Sequence, residues 1–108
     1  MADYQFLRDP RGEVTIPQDG ILSRTIHGDD RVTVTIFGFD AGQELSEHTS
    51  TKAAIIEILQ GEADILLGED RYEAGPGAWI SMPPGLRHAI RARTPVVLLL
   101  LLLGDRPT

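Results

Sequence analysis

His48 and His88 are the residues of this chain whose type and placement could do chemistry. His48 lies in GQELSEHTSTKAAIIEILQG, Gly42 to Gly61, and His88 ends the segment PPGLRH. Each stands where a turn meets a strand. Imidazole is the commonest protein ligand for a metal ion, and it exchanges a proton near neutral pH. Two imidazoles meeting in one cavity make half of a metal site or an acid–base pair. Taken singly, each has a structural reading. His48 is then an interior histidine bonded to a backbone carbonyl or to Ser50, and His88 is a turn residue that satisfies a strand end. His27 precedes the turn GDD and reads as a surface residue.

The elements that must position these histidines are strands. No stretch of a dozen residues carries the 3.6-residue period of an amphipathic helix, and 11 glycines and 7 prolines punctuate the chain at short intervals. RVTVTIFGFD (Arg31 to Asp40) is rich in β-branched and aromatic residues, which favour strands. GILSRTIH, AAIIEILQ, EADILLG, DRYEA, AWISM and RHAIRA read the same way. Gln60-Gly61-Glu62 reads as a tight hairpin connection. Val96 to Leu103 is a run of eight apolar residues. A membrane-spanning helix needs about 20, so the run reads as a strand buried on both faces, with something covering its outer side. About eight short strands at this spacing predict an all-β sandwich or barrel. The chain is expected to be a single domain, 1–108. Its first 18 residues or so form an arm on the barrel or on a second subunit, and 20–104 form the barrel.

The turn residues then acquire meaning. Gly42 is followed by five residues and His48, and Gly61 closes that half. Gly77 is followed by five residues and then by Pro83, Gly85 and His88. This pattern resembles the two motifs of the cupin superfamily, G-x5-H-x-H-x3-E-x6-G and G-x5-P-x-G-x2-H-x3-N. It is most similar to the small single-domain, RmlC-like members. The resemblance spans about Gly42 to Ala92 and implies a small jelly-roll barrel with a pocket inside. It also implies a divalent iron, manganese, nickel or zinc ion held by three histidines and a glutamate. Those ligand positions fall on His48, Ser50, Ala54 and His88, so only the two histidines match. Ala92 stands where the second motif often has Asn. Two imidazoles rarely hold a transition metal tightly, and stable sites supply a third ligand. Glu44, Glu47 and Glu57 are the carboxylates in reach by sequence. Strict alternation turns Glu47 and Glu57 outward and would put Glu44 on the side of His48, but Glu44 lies in or just after a turn, where parity does not hold. A metal on His48 and His88 is therefore expected to be weak or absent.

Strand parity also sketches a pocket. With His48 and Ser50 inward, Ala54, Ile56 and Ile58 turn inward on the next strand, and Ile90 shares the side of His88. Trp79 and Met82, on the strand entering the P-x-G turn, are expected to line or close the mouth. Their alternative is plain core. Such an apolar lining with few polar groups suits a small organic ligand.

Composition removes other classes. Net charge is −6, with 16 acidic against 10 basic residues, and no basic cluster offers a nucleic-acid surface. There is no cysteine, hence no disulfide, thiol nucleophile or Cys-based zinc site. No phosphate-binding loop and no G-x-S-x-G elbow occurs. The N-terminus lacks the basic start and apolar core of a secretory signal. The chain is expected to be cytoplasmic, without membrane or nucleic-acid partners. It is expected to be a homodimer, from its outward leucines and from the resemblance. The functional reading is a cupin-fold protein that binds a small organic ligand and carries a partial metal site on His48 and His88. The alternative is a metal-dependent enzyme, dioxygenase- or isomerase-like, that uses both histidines and an unidentified third ligand.

Overall fold

The eight apolar residues Val96–Leu103 form a strand that sits in the middle of a sheet. In a computed structural model, which describes residues 4–104, the chain folds into nine strands and one short 3-10 turn. The two ends of the expected 1–108 domain, residues 1–3 and 105–108, lie outside the described residues. The strands are β1 (Ile21–Gly28), β2 (Val32–Phe39), β3 (Glu44–His48), β4 (Ala54–Gln60), β5 (Ala63–Leu67), β6 (Asp70–Ala74), β7 (Trp79–Met82), β8 (His88–Ala92) and β9 (Val96–Leu103). A five-stranded sheet runs β1-β2-β9-β4-β7, and a four-stranded sheet runs β3-β8-β5-β6. Every pairing is antiparallel. The fold is an all-β jelly roll, as the sequence predicts. Among the described residues, no helix is long and apolar enough to cross a membrane.

The core lies between the two sheets. Ala54, Ile56 and Ile58 of β4 pair across with Leu102, Leu100 and Leu98 of β9, so these six residues share the inner face. They meet Ile65 of β5 and Ile90 of β8, which are themselves cross-strand partners. Phe37 and Phe39 pack together at 6.0 Å and serve the core. The odd-numbered leucines of β9 point the other way, and the N-terminal arm covers part of that outer face. A Cβ placed on Gly38 would meet the Ile16 side chain at 3.2 Å and Val14 at 3.4 Å, so the arm lies directly on β2. The Arg24 side chain donates to the Glu13 carbonyl and carboxylate, both at 3.3 Å, and ties the arm down.

Two sequence expectations need correction. β3, the strand on which His48 is expected to stand, brings the count of about eight to nine, and it ends at His48, so Ser50 lies in the loop beyond it. Gln60-Gly61-Glu62 is a tight turn, but not a hairpin. β4 pairs with β7 and β9, and β5 pairs with β6 and β8, so the turn carries the chain from one sheet to the other. Gly61 is required there for two reasons. Its φ is +86°, and a Cβ would lie 2.0 Å from the Pro95 carbonyl oxygen.

Gly42 offers the control, with φ +84° and open space around its missing Cβ. The left-handed conformation alone costs an L-residue about 1–2 kcal/mol, and forced overpacking adds about 1–3 kcal/mol. Gly42→Ala is therefore expected to lose about 1–2 kcal/mol and Gly61→Ala about 3 kcal/mol or more, measured from urea unfolding.

The β1–β2 turn carries its own pH dependence. The Asp29 carboxylate accepts N–H bonds from Arg31 and Val32 and meets the His27 ring at 3.1 Å. These bonds, the Arg31 backbone bond first, lower its pKa from 3.8 to about 2. A depressed carboxyl stabilises the fold fully above its unfolded pKa, and that contribution is lost as pH falls through the folded value. The stability gap between wild type and Asp29→Asn is thus expected to shrink as pH falls from about 5 towards 2 in urea titrations.

Candidate functional site

β3 and β8 pair through Glu44 with Arg91, Leu45 with Ile90, and His48 with His88. The register slips between Leu45 and His48. That bulge changes the side on which the later residues of β3 point. Leu45 packs against the core, and three residues later His48 also faces the inner side, opposite His88. Without the bulge, residues three apart point to opposite faces. Glu44, paired with Arg91, is left on the outer face. Glu47 also points away, where its carboxylate meets the Arg87 guanidinium at 2.8 Å. The two residues that precede the histidines thus form an ion pair outside, while the histidines face each other inside.

The rings are close. Their centroids lie 4.2 Å apart and their planes are tilted by 57°. His88 is buried, at 7% exposure, and His48 is exposed at the rim. Each ring is oriented by a backbone carbonyl two residues before it. His48 Nδ1 lies 2.8 Å from the Ser46 carbonyl, and His88 Nδ1 lies 3.0 Å from the Leu86 carbonyl. A carbonyl oxygen only accepts, so Nδ1 carries the proton in both rings. In each neutral ring Nε2 keeps its lone pair.

The turn that delivers His88 is well defined. Leu86 donates to the Pro83 carbonyl at 3.4 Å across Pro84 and Gly85, and Gly85 has φ +85°. This is the sequence pattern of a turn with Pro at its second position and Gly at its third. Gly85 also donates to the Ser50 carbonyl at 2.8 Å, which ties the turn to the loop after β3. The Ser50 hydroxyl accepts from the Lys52 N–H at 3.1 Å.

A cavity of about 430 Å³ opens at this end of the barrel. His48, His88, Ser50 and Ala54 line it, together with Thr49 and Thr51, and Leu100 and Leu102 of β9 form its apolar wall. The structure thus brings together four of the residues expected at the pocket. It does not bring Ile56, Ile58, Met82 and Ile90 to the surface of that cavity. They are 0–3% exposed and pack in one core cluster, so the barrel is filled beneath this mouth. Trp79 is on the other side of its sheet. It pairs with Glu57, whereas Ile80 pairs with the inward Ile56, and it is 61% exposed. Residues 79 and 82 differ in parity, so one strand cannot turn both inward. Leu100 and Leu102 escaped the sequence reading because an unbroken leucine run has no phase. Thr49 and Thr51 escaped it because they lie in a loop.

The divalent metal implied by the motif resemblance does not fit this donor set. Ser50 and Ala54 occupy two ligand positions. Glu44 and Glu47 are turned outward, and Glu57 lies across from the exposed Trp79. Among the described residues, no group of three or more His, Cys, Asp or Glu side chains could hold an ion. Two imidazoles, each held through Nδ1 by a backbone carbonyl, are what these positions provide.

Residues 35–102 match the sequence profile of the family described as Cupin domain. The fold is similar to that of a conserved protein of unknown function from Streptococcus pyogenes (TM-score 0.85, 33% identity, covering 98% of this chain and 93% of that chain). It is similar to a cupin superfamily protein from Desulfitobacterium hafniense (TM-score 0.82, 26% identity, 87% and 86%). It is also similar to the DMSP lyase of Ruegeria pomeroyi (TM-score 0.74, 28% identity), covering 83% of this chain and 50% of that chain. No curated protein matches by sequence.

Proposed function

This chain belongs to the cupin domain family, and from that premise we propose that it binds a small organic ligand at the barrel mouth, between His48 and His88. The observation that carries this reading is the pair of facing imidazoles, each with Nδ1 committed to a carbonyl and Nε2 left as an acceptor. An acceptor pair selects a ligand that donates, such as a hydroxyl or an acid O–H. Ala54, Leu100 and Leu102 supply contact for a compact apolar body, and a mouth of about 430 Å³ suits a molecule of modest size. The Thr49 and Thr51 hydroxyls offer further polar contacts at the rim.

The alternative reading is a metal-dependent enzyme, dioxygenase- or isomerase-like. It draws on one specific observation. Histidines that ligate metals commonly donate their other ring N–H to a carbonyl or carboxylate, which is the orientation both rings have here. That a lyase shares the fold at 28% identity is also compatible with it. It requires a third ligand that the donor set lacks, so the ligand-binding reading takes precedence. A divalent ion on His48 and His88 is then weak or absent. A homodimer built on the outward leucines of β9 belongs to the same proposal.

Two measurements test it. Protein purified without chelator or added metal is expected to hold far less than one equivalent of any transition metal, and to remain low after soaking in iron, manganese, nickel and zinc. One equivalent of a single metal that disappears in His88→Ala favours the enzyme. A screen of small hydroxylated and carboxylic compounds, followed through the histidine ring resonances, is expected to yield ligands that shift His48 and His88. Their affinity should fall at least tenfold in His48→Ala and in His88→Ala, with the fold retained. Ligands that bind both variants as tightly as the wild type contradict the proposal.

A further inference from the structure

β3 is an edge strand, and β8 lies between it and β5. The two histidines are therefore held differently. His88 is buried and paired on both sides, with His48 of β3 and with Leu67 of β5. The residue before it, Arg87, accepts the Gly68 N–H on its carbonyl at 2.7 Å. This end of β8 is thus fixed from the β5 side. His48 is the last residue of β3, follows the bulge and is exposed. Strand ends with few buried contacts open at little cost. Ties to β8 other than the ladder therefore matter at His48.

Two such ties bracket it. After His48, the Ser50 carbonyl accepts the Gly85 N–H at 2.8 Å. Before it, the Glu47 carboxylate accepts from the Arg87 guanidinium at 2.8 Å. Glu47 and Arg87 each directly precede a histidine. Neighbouring side chains of a strand take opposite faces, so drawing Glu47 to Arg87 outside draws His48 to His88 inside. Both side chains of the ion pair stand about half in water. A pair of this kind is screened by salt and adds little to global stability. Its effect is local, on the one strand end that it holds.

We infer that Glu47 and Arg87 are positioning residues of the histidine mouth. Their ion pair holds the end of β3 against β8 and so sets the spacing of the two imidazoles, which then responds to ionic strength. The use of that spacing in ligand binding rests on the proposed function. The spacing itself belongs to the ligand-free protein and is tested without a ligand.

Two reporters read it. Hydrogen exchange of the Gly85 amide follows separation of the loop after β3 from the Pro83–Leu86 turn. The nuclear Overhauser contact between carbon-bound ring protons follows the imidazoles, whose centroids lie 4.2 Å apart. Glu47→Gln and Arg87→Gln are each expected to speed Gly85 exchange about two- to fivefold, the range of one exposed ion pair, and to weaken the ring contact. The Ile58 amide, which donates to the Ala78 carbonyl, is the control and is expected to exchange as in the wild type. Salt at about 1 M, where screening acts over about 3 Å, is expected to reproduce the effect in the wild type and to add nothing in the variants. The exchanged pair, Glu47→Arg with Arg87→Glu, is expected to restore both reporters. Gly85 exchange and ring contact unchanged in both single variants overturn the inference. Equal acceleration at Gly85 and Ile58 also overturns it and assigns the pair to global stability, as does an exchanged pair that restores neither reporter. Salt-sensitive ring spacing in a protein that binds no small hydroxylated or carboxylic compound supports the inference and contradicts the proposed function alone.

Discussion

The candidate site depends on one irregularity, the slip in register between Leu45 and His48. An antiparallel ladder alternates its side chains strictly, and a bulge is the device that resets the phase. Here the reset lets β3 place Leu45 in the core and still turn His48 towards His88. It also leaves Ser46 outside the paired positions of the ladder, and the Ser46 carbonyl orients the His48 ring. On the opposite strand, the Pro83–Leu86 turn places the Leu86 carbonyl to do the same for His88. Two different backbone devices thus produce the same result, a cavity-lining imidazole whose Nδ1 is committed to a carbonyl.

The donor set then decides between chemistries. Tight transition-metal sites draw on three or more ligands. This barrel has two imidazoles, a serine whose hydroxyl accepts a loop N–H, and an alanine that leaves space. The carboxylates that could have completed the set are directed elsewhere. Glu47 is held by Arg87 on the far side, and Glu44 pairs with Arg91. What remains is a pair of imidazoles over an apolar wall, the feature on which the proposed ligand binding rests.

Much of this architecture was legible in the sequence. Turn glycines and prolines, short β-branched runs and a run of leucines too short for a membrane lead to an all-β barrel, and motif spacing leads to the cupin fold. Both histidines, Ser50 and Ala54 were legible because turn residues fix their register. The rest failed for identifiable reasons. A six-leucine run carries no polar marker, so nothing in it announces that Leu100 and Leu102 face the mouth. Parity arguments assign a face but not a depth, so Ile56, Ile58 and Ile90 point inward as expected and yet fill the core. Trp79 stands near the turn, but its phase in the strand excludes it from the mouth. Its pairing with Glu57 puts it outside. The hairpin reading of Gln60-Gly61-Glu62 could not foresee that Gly61 must pass within contact distance of Pro95, a tertiary demand with no local signature.

The central claim is that both imidazoles present an unprotonated Nε2 to the cavity. A long-range proton–nitrogen correlation spectrum of the histidine rings, recorded on the ligand-free protein with the rings neutral, tests it directly. The account predicts that His48 and His88 both carry their proton on Nδ1, with Nε2 showing the shift of a bare lone pair. A proton on Nε2 in either ring would mean that its Nδ1 does not donate to the Ser46 or Leu86 carbonyl. The acceptor pair on which the proposed function rests would then not exist.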